Sequence, residues 1–122
     1  MIRKISLKFD IRAISKDNEK FHNNQGRPFT STKYKNFERD LKFLTNAQLP
    51  PDFKRFETED LYVGLNYTFK NRVHCDAPNL PKSTCDAMNK ILWKDDRQIK
   101  SFSVDINYGK NENILLEVSN LQ

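Results

Sequence analysis

Long apolar runs are missing from this 122-residue chain. No stretch approaches the roughly 20 apolar residues of a bilayer span, so a membrane partner is not expected. The opening "MIRKISLKFDIRAI" alternates apolar with polar residues and builds no continuous apolar stretch ahead of small residues, so it does not read as a signal peptide, and the expected compartment is the cytoplasm. Cysteine and histidine are scarce. Cys75 and Cys85, with only His22 and His74 beside them, lack the paired spacing of a zinc site, and two reduced structural thiols are expected. With Gly 3 and Pro 5, the composition is that of a folded domain and not of a fibrous or low-complexity segment. Negative charge is in deficit too. Lys and Arg number 21 against 16 Asp and Glu, a formal net charge of +5, so the surface attracts polyanions and nucleic acid is the first partner to consider.

What is present is periodicity. The length suits one domain spanning residues 1–122, enough to bury a core and too short for two. Ile5, Leu7, Phe9 and Ile11 alternate with Ser6, Lys8, Asp10 and Arg12, the signature of a strand with one wet face. The polar "SKDNEKFHNNQGRPF" that follows is too long for a tight connection and is a candidate functional loop. Tyr34, Phe37, Leu41 and Leu44 recur at helical steps behind the capping candidates Thr30 and Ser31, with Lys33, Lys35, Arg39 and Lys42 on other faces. Leu61, Val63, Leu65, Tyr67 and Phe69 predict a second strand that runs out toward Asp76. A second helix is expected from Asn79, with Pro81 in its first turn and a buried stripe of Leu80, Thr84, Ala87, Met88 and Ile91. Phe102, Val104, Ile106 and Tyr108 predict a third strand, and "ILLEV" a fourth that pairs with it as a hairpin across "GKNEN". The order β-α-β-α-β-β predicts an α/β or α+β domain, a small mixed sheet covered by two helices.

Two acidic points flank the second helix. Asp76 precedes it, while Asp95 and Asp96 follow it, and a helix of about twelve residues is about 18 Å long. The points therefore meet only through a loop that folds back or through another subunit. Converging carboxylates suit a hard cation such as magnesium, which binds through oxygen and keeps waters for a phosphate substrate. Lys82, one turn from Asp86, is placed to steady a phosphate, and the helix start at Asn79 favours an anion nearby. Each residue also has a plainer reading: Asp76 and Asn79 as caps, "KDDR" as a solvated turn, Lys82 with Asp86 as an exposed helix pair and His74 as a surface residue. Physics alone leaves a basic α/β domain with a candidate magnesium and phosphate site.

At these residues the sequence resembles the RusA family of Holliday junction resolvases, small phage and bacterial enzymes that cut four-way DNA junctions. The family motif is Asp-x-Asp-Asn-Leu, then a lysine and Asp-Ala-Leu, with a later Asp-Asp and Gln-Val or Gln-Ile. This chain has Asp76-Ala77-Pro78-Asn79-Leu80, then Lys82, Asp86-Ala87-Met88 and Asp95-Asp96-Arg97-Gln98-Ile99. "NNQGRPFTSTKYKNFERDL" is similar to the family's Gly-Arg loop and first helix, and the resemblance covers most of residues 5 to 118.

The resemblance implies a homodimeric endonuclease, dependent on magnesium or manganese and no small-molecule cofactor, that makes paired symmetric cuts in branched DNA. It implies Asp76 and Asp96 as metal ligands with Asp95 close behind, and Lys82 as the catalytic lysine. Arg27, Lys33, Arg72, Lys82 and Asn79 are the expected DNA contacts, with Phe21, Arg27 and Phe29 a wedge for the junction centre. The chain departs from the pattern at Pro78, where the family has its second aspartate and where proline offers no side-chain oxygen. Asp86, Asp95 and His74 are the candidates to fill that vacancy, Asp86 because it faces Lys82 and His74 last, because it lies on the family's basic approach to the motif. The alternative is a protein on the same fold that binds branched DNA and no longer cuts.

Overall fold

The computed structural model describes residues 3–14, 20–22, 28–30, 32–74 and 77–121. The expected alternations form strands β1 (Lys4–Phe9), β4 (Leu61–Phe69), β5 (Ile99–Tyr108) and β6 (Asn113–Asn120), and the two helical patterns form α1 (Thr32–Gln48) and α2 (Leu80–Met88). Two short strands, β2 (Lys20–His22) and β3 (Pro28–Thr30), pair antiparallel within the stretch read from sequence as a loop. Three-residue strands carry too little alternation to be seen in a sequence. The fold is α+β, with one mixed four-stranded sheet in the order β1-β6-β4-β5.

β6 runs antiparallel to both β1 and β4, and β4 runs parallel to β5, with α2 in the crossover. The expected β5–β6 hairpin is therefore corrected: β4 lies between the two strands. Alternation reports which face of a strand is buried and not which strand lies beside it. Two strand spacings are about 10 Å, a gap that the four-residue connection 109–112 spans easily. That connection crosses the end of β4, where the Gly109 amide donates to the Phe69 carbonyl at 3.0 Å.

The inward residues of β4, Leu61, Val63, Leu65, Tyr67 and Phe69, meet Leu7 and Phe9 of β1 and Ile114, Leu116 and Val118 of β6 in one core with α1 and α2. From α1, Tyr34, Phe37, Leu41 and Thr45 are buried, and Thr45 donates to the Met88 sulfur at 3.3 Å, joining the helices. Each fully buried Leu or Phe contributes on the order of 2 kcal/mol by leaving water. α2 has nine residues, about 14 Å, shorter than the expected twelve. Ile91 lies beyond it, half-buried.

Candidate active site

α2 carries the centre of the sequence motif. Ala77–Asn79 form a single 3₁₀ turn, and Leu80 opens the helix with Pro81 in its first turn. Asn79 sits in the helix-flanking position with helical backbone angles, and its side chain makes no capping hydrogen bond, which corrects the reading of Asn79 as a side-chain cap. Leu80, Ser83, Thr84, Ala87 and Met88 face the core. The Tyr67 hydroxyl meets that of Thr84 at 2.8 Å, and Ser83 reaches the Ile14 carbonyl at 2.7 Å, so the inner face of α2 is fixed against both β4 and the segment that follows β1. Lys82 and Asp86, one turn apart, and Pro78 ahead of them are exposed.

The exit from α2 doubles back. Lys90 adopts a left-handed backbone with φ of 75°, unusual for a residue with a side chain. The Leu92 amide returns to the Met88 carbonyl at 3.0 Å, and the Lys90 amide to the Trp93 carbonyl at 2.7 Å. Phe56 clamps the far side, donating its amide to Leu92 and accepting from the Lys94 amide. Trp93 is thereby buried, and its indole Nε1 donates to Asp96 Oδ1 at 2.6 Å.

Asp95 and Asp96 have different surroundings. Asp95 caps the 3₁₀ turn Asp96–Gln98: its carboxylate accepts from the Arg97 amide at 2.8 Å and pairs with the Arg97 guanidinium at 2.9 Å. These hydrogen bonds from Arg97, side chain first, draw the Asp95 carboxyl down to about 2. The buried Gln98 completes the turn, accepting from the Asp95 amide at 2.9 Å and donating to the carbonyls of Phe56 and Glu59. Asp96 faces solvent, with one oxygen held by Trp93.

Cys85, on the inner face of α2, is a buried free thiol. Burial pushes its pKa up to about 12, and the charges of Asp96 and Asp86 add to the effect. Lys82 and Asp86 are exposed on α2, and Asp96 is exposed in the turn that follows it. The fold-back at Lys90 seats Trp93, which in turn holds Asp96. Asp76 lies outside the described residues, and among the described residues no three His, Cys, Asp or Glu side chains group together as a metal cage. Asp96 and Asp86 offer the hard oxygen donors that magnesium or manganese takes, in the small number such ions accept when a phosphate and waters complete the shell.

The approach to Asp76 is held by a second network. His74 stacks on Phe69, with centroids 4.3 Å apart and planes 10° apart, and its Nε2 meets the Tyr108 hydroxyl at 2.8 Å. Arg72 lies over the Tyr108 ring at 4.6 Å. Arg12 binds the Val73 carbonyl and the Glu112 carboxylate while sitting over Phe69 at 5.3 Å. His74 thus packs between the rings of Phe69 and Tyr108. Of the expected DNA contacts, Lys33 and Arg72 are exposed, Asn79 is half-buried and Arg27 lies outside the described residues, as does the side-chain detail of Phe21 and Phe29. Gln98 was legible as part of the motif Asp95-Asp96-Arg97-Gln98-Ile99, whereas Trp93 has no signal in the sequence beyond its spacing, three residues before Asp96.

The outer side of α2 carries Lys82 and Asp86, charged groups of the kind used in metal-assisted phosphodiester chemistry. The family model for endodeoxyribonuclease RusA matches residues 10–119. The chain belongs to this family of nucleases, which act on Holliday junctions and are generally dependent on divalent metal ions. None of the curated proteins matches the sequence. Among the described residues, no helix is long and apolar enough to cross a membrane.

Proposed function

We propose that this chain is a divalent-metal-dependent endonuclease that resolves four-way DNA junctions by paired symmetric cuts, working as a homodimer in a phage or prophage setting. The observation that carries the reading is the family match over residues 10–119, with Asp96, Asp86 and Lys82 exposed at motif positions. Asp76 and Asp96 are the assigned metal ligands. Asp86, exposed on α2 one turn beyond Lys82, takes the place left open by Pro78. Asp95 is committed to its turn and to Arg97, so its part is to hold Asp96 in place. A magnesium or manganese ion bound there supplies charge neutralisation at the phosphate and an activated water. The chain's own residues bind and orient: Lys82 stands beside the carboxylates to meet phosphate charge, and Trp93 fixes one oxygen of Asp96 so that the other points outward. A two-fold dimer matches a junction with near two-fold symmetry and sets two sites against opposed strands.

Pro78 favours a second reading, a junction binder that no longer cuts, because one carboxylate of the family's set is gone. A four-way junction labelled on each strand in turn separates them. Opposed nicks at symmetric positions in magnesium or manganese support the resolvase. A junction that is bound yet intact in both metals supports the binder.

A further inference from the structure

β1, β4 and β5 all point their C-terminal ends to the same edge of the sheet, because β1 and β4 are both antiparallel to β6 and β5 is parallel to β4. At that edge a cleft of about 650 Å³ opens between the end of β1, the residue after β4 and the β5–β6 connection. Its charges are unevenly matched. Arg12 is paired with Glu112, which also accepts from the Lys70 amide at 3.2 Å, and Lys8 faces Asp10 at 3.7 Å. Lys70 and Lys110 line the same cleft, are exposed, and take part in no ion pair among the described residues. The cleft therefore carries two uncompensated positive charges on a rigid frame, and Arg12 ties that frame to the Val73 carbonyl, three residues before Asp76.

We propose that this cleft seats the sugar–phosphate backbone of one duplex arm, with Lys70 and Lys110 each meeting a phosphate. The proposal rests on the resolvase reading and adds to it the path of the DNA. An acidic protein segment would need donors and apolar pockets for its side chains, whereas lysines beside an open trough suit a repeating, singly charged backbone that is read without sequence. The position explains why the frame is pinned so firmly: a backbone lying over Lys70 and Lys110 is delivered beside the segment that leads into Asp76.

The test is fluorescence anisotropy of a labelled four-way junction in EDTA, with sodium chloride varied. Wild type is compared with Lys70→Gln/Lys110→Gln and with a control, Lys4→Gln/Lys54→Gln, which removes the same charge from the opposite end of the sheet, where β1 begins. Each lost phosphate contact flattens the plot of log affinity against log salt by about 0.9, so the cleft variant should be shallower than wild type by about 1.8 and the control unchanged. A cleft variant with the wild-type slope, or a control that flattens equally, overturns the cleft while leaving the resolvase reading in place. Wild-type protein that fails to bind junctions overturns both.

Discussion

Trp93 and Asp96 are joined by a hydrogen bond of 2.6 Å from the indole Nε1 to carboxylate Oδ1, a buried donor holding an exposed acceptor. The ring is fixed by the core and by the Phe56 clamp, so it dictates the orientation of the carboxylate. Trp93→Phe retains most of the packing and removes the N–H. Partners that orient a metal ligand are commonly worth about 10- to 100-fold in metal affinity, and a loss of about tenfold is expected when manganese is titrated calorimetrically. As Trp93 is the sole tryptophan, wild-type fluorescence should also change on the same titration. Unchanged affinity in Trp93→Phe would make the bond a packing detail.

Asp95 gives a pH signature. Its carboxyl is held down at about 2 by Arg97, below the usual carboxylate value near 4. A lowered pKa in the folded state means that the stabilisation is complete above the ordinary value and disappears as pH falls through about 2. Asp95→Asn should therefore melt below wild type at neutral pH, and the two melting curves should draw together between about pH 4 and pH 2. A gap that persists at pH 2 would assign the loss to something other than charge.

Cys85 should be silent toward alkylating agents. Burial, with the charges of Asp96 and Asp86, raises its pKa to about 12, so the reactive thiolate is suppressed at pH 8. Mass spectrometry of peptides after iodoacetamide treatment should find Cys85 modified only when the chain is first unfolded. Rapid labelling of the native protein would mean that α2 leaves its seat on the sheet.

Arg12→Ala tests the frame of the active-site approach. The substitution releases the Val73 carbonyl and leaves the largely buried Glu112 without its guanidinium. Loss of such a charged pair costs about 1.5–3 kcal/mol for the hydrogen bonds, discounted here because Arg12 is partly exposed. Hydrogen exchange of residues 70–74 should accelerate while the helices remain protected. Equal protection in both proteins would show that the aromatic stack of Phe69, His74 and Tyr108 suffices.

The sequence made the inner faces legible because burial imposes periodicity. Tyr34, Phe37 and Leu41, and every alternate residue from Leu61 to Phe69, are buried as their spacing required. Partnership between strands was not legible, so β5 and β6 were expected side by side although β4 separates them. At the site, Lys82, Asp86 and Asp96 were visible as motif residues, but the fold-back that seats Trp93 beside Asp96 turns on one left-handed residue, Lys90, which no glycine announces. The split between Asp95 and Asp96 was likewise hidden, since adjacent aspartates look alike until a turn sends one toward Arg97 and the other toward Trp93.

The central claim is that Asp96 serves the chemistry of a working nuclease. The most direct measurement pairs junction cleavage in magnesium and manganese with junction binding in EDTA, for wild type and Asp96→Asn. The account predicts symmetric cuts by wild type, cleavage lower by about a hundredfold or more in Asp96→Asn, and binding that is alike in both. Asp96→Asn cutting at the wild-type rate would contradict it.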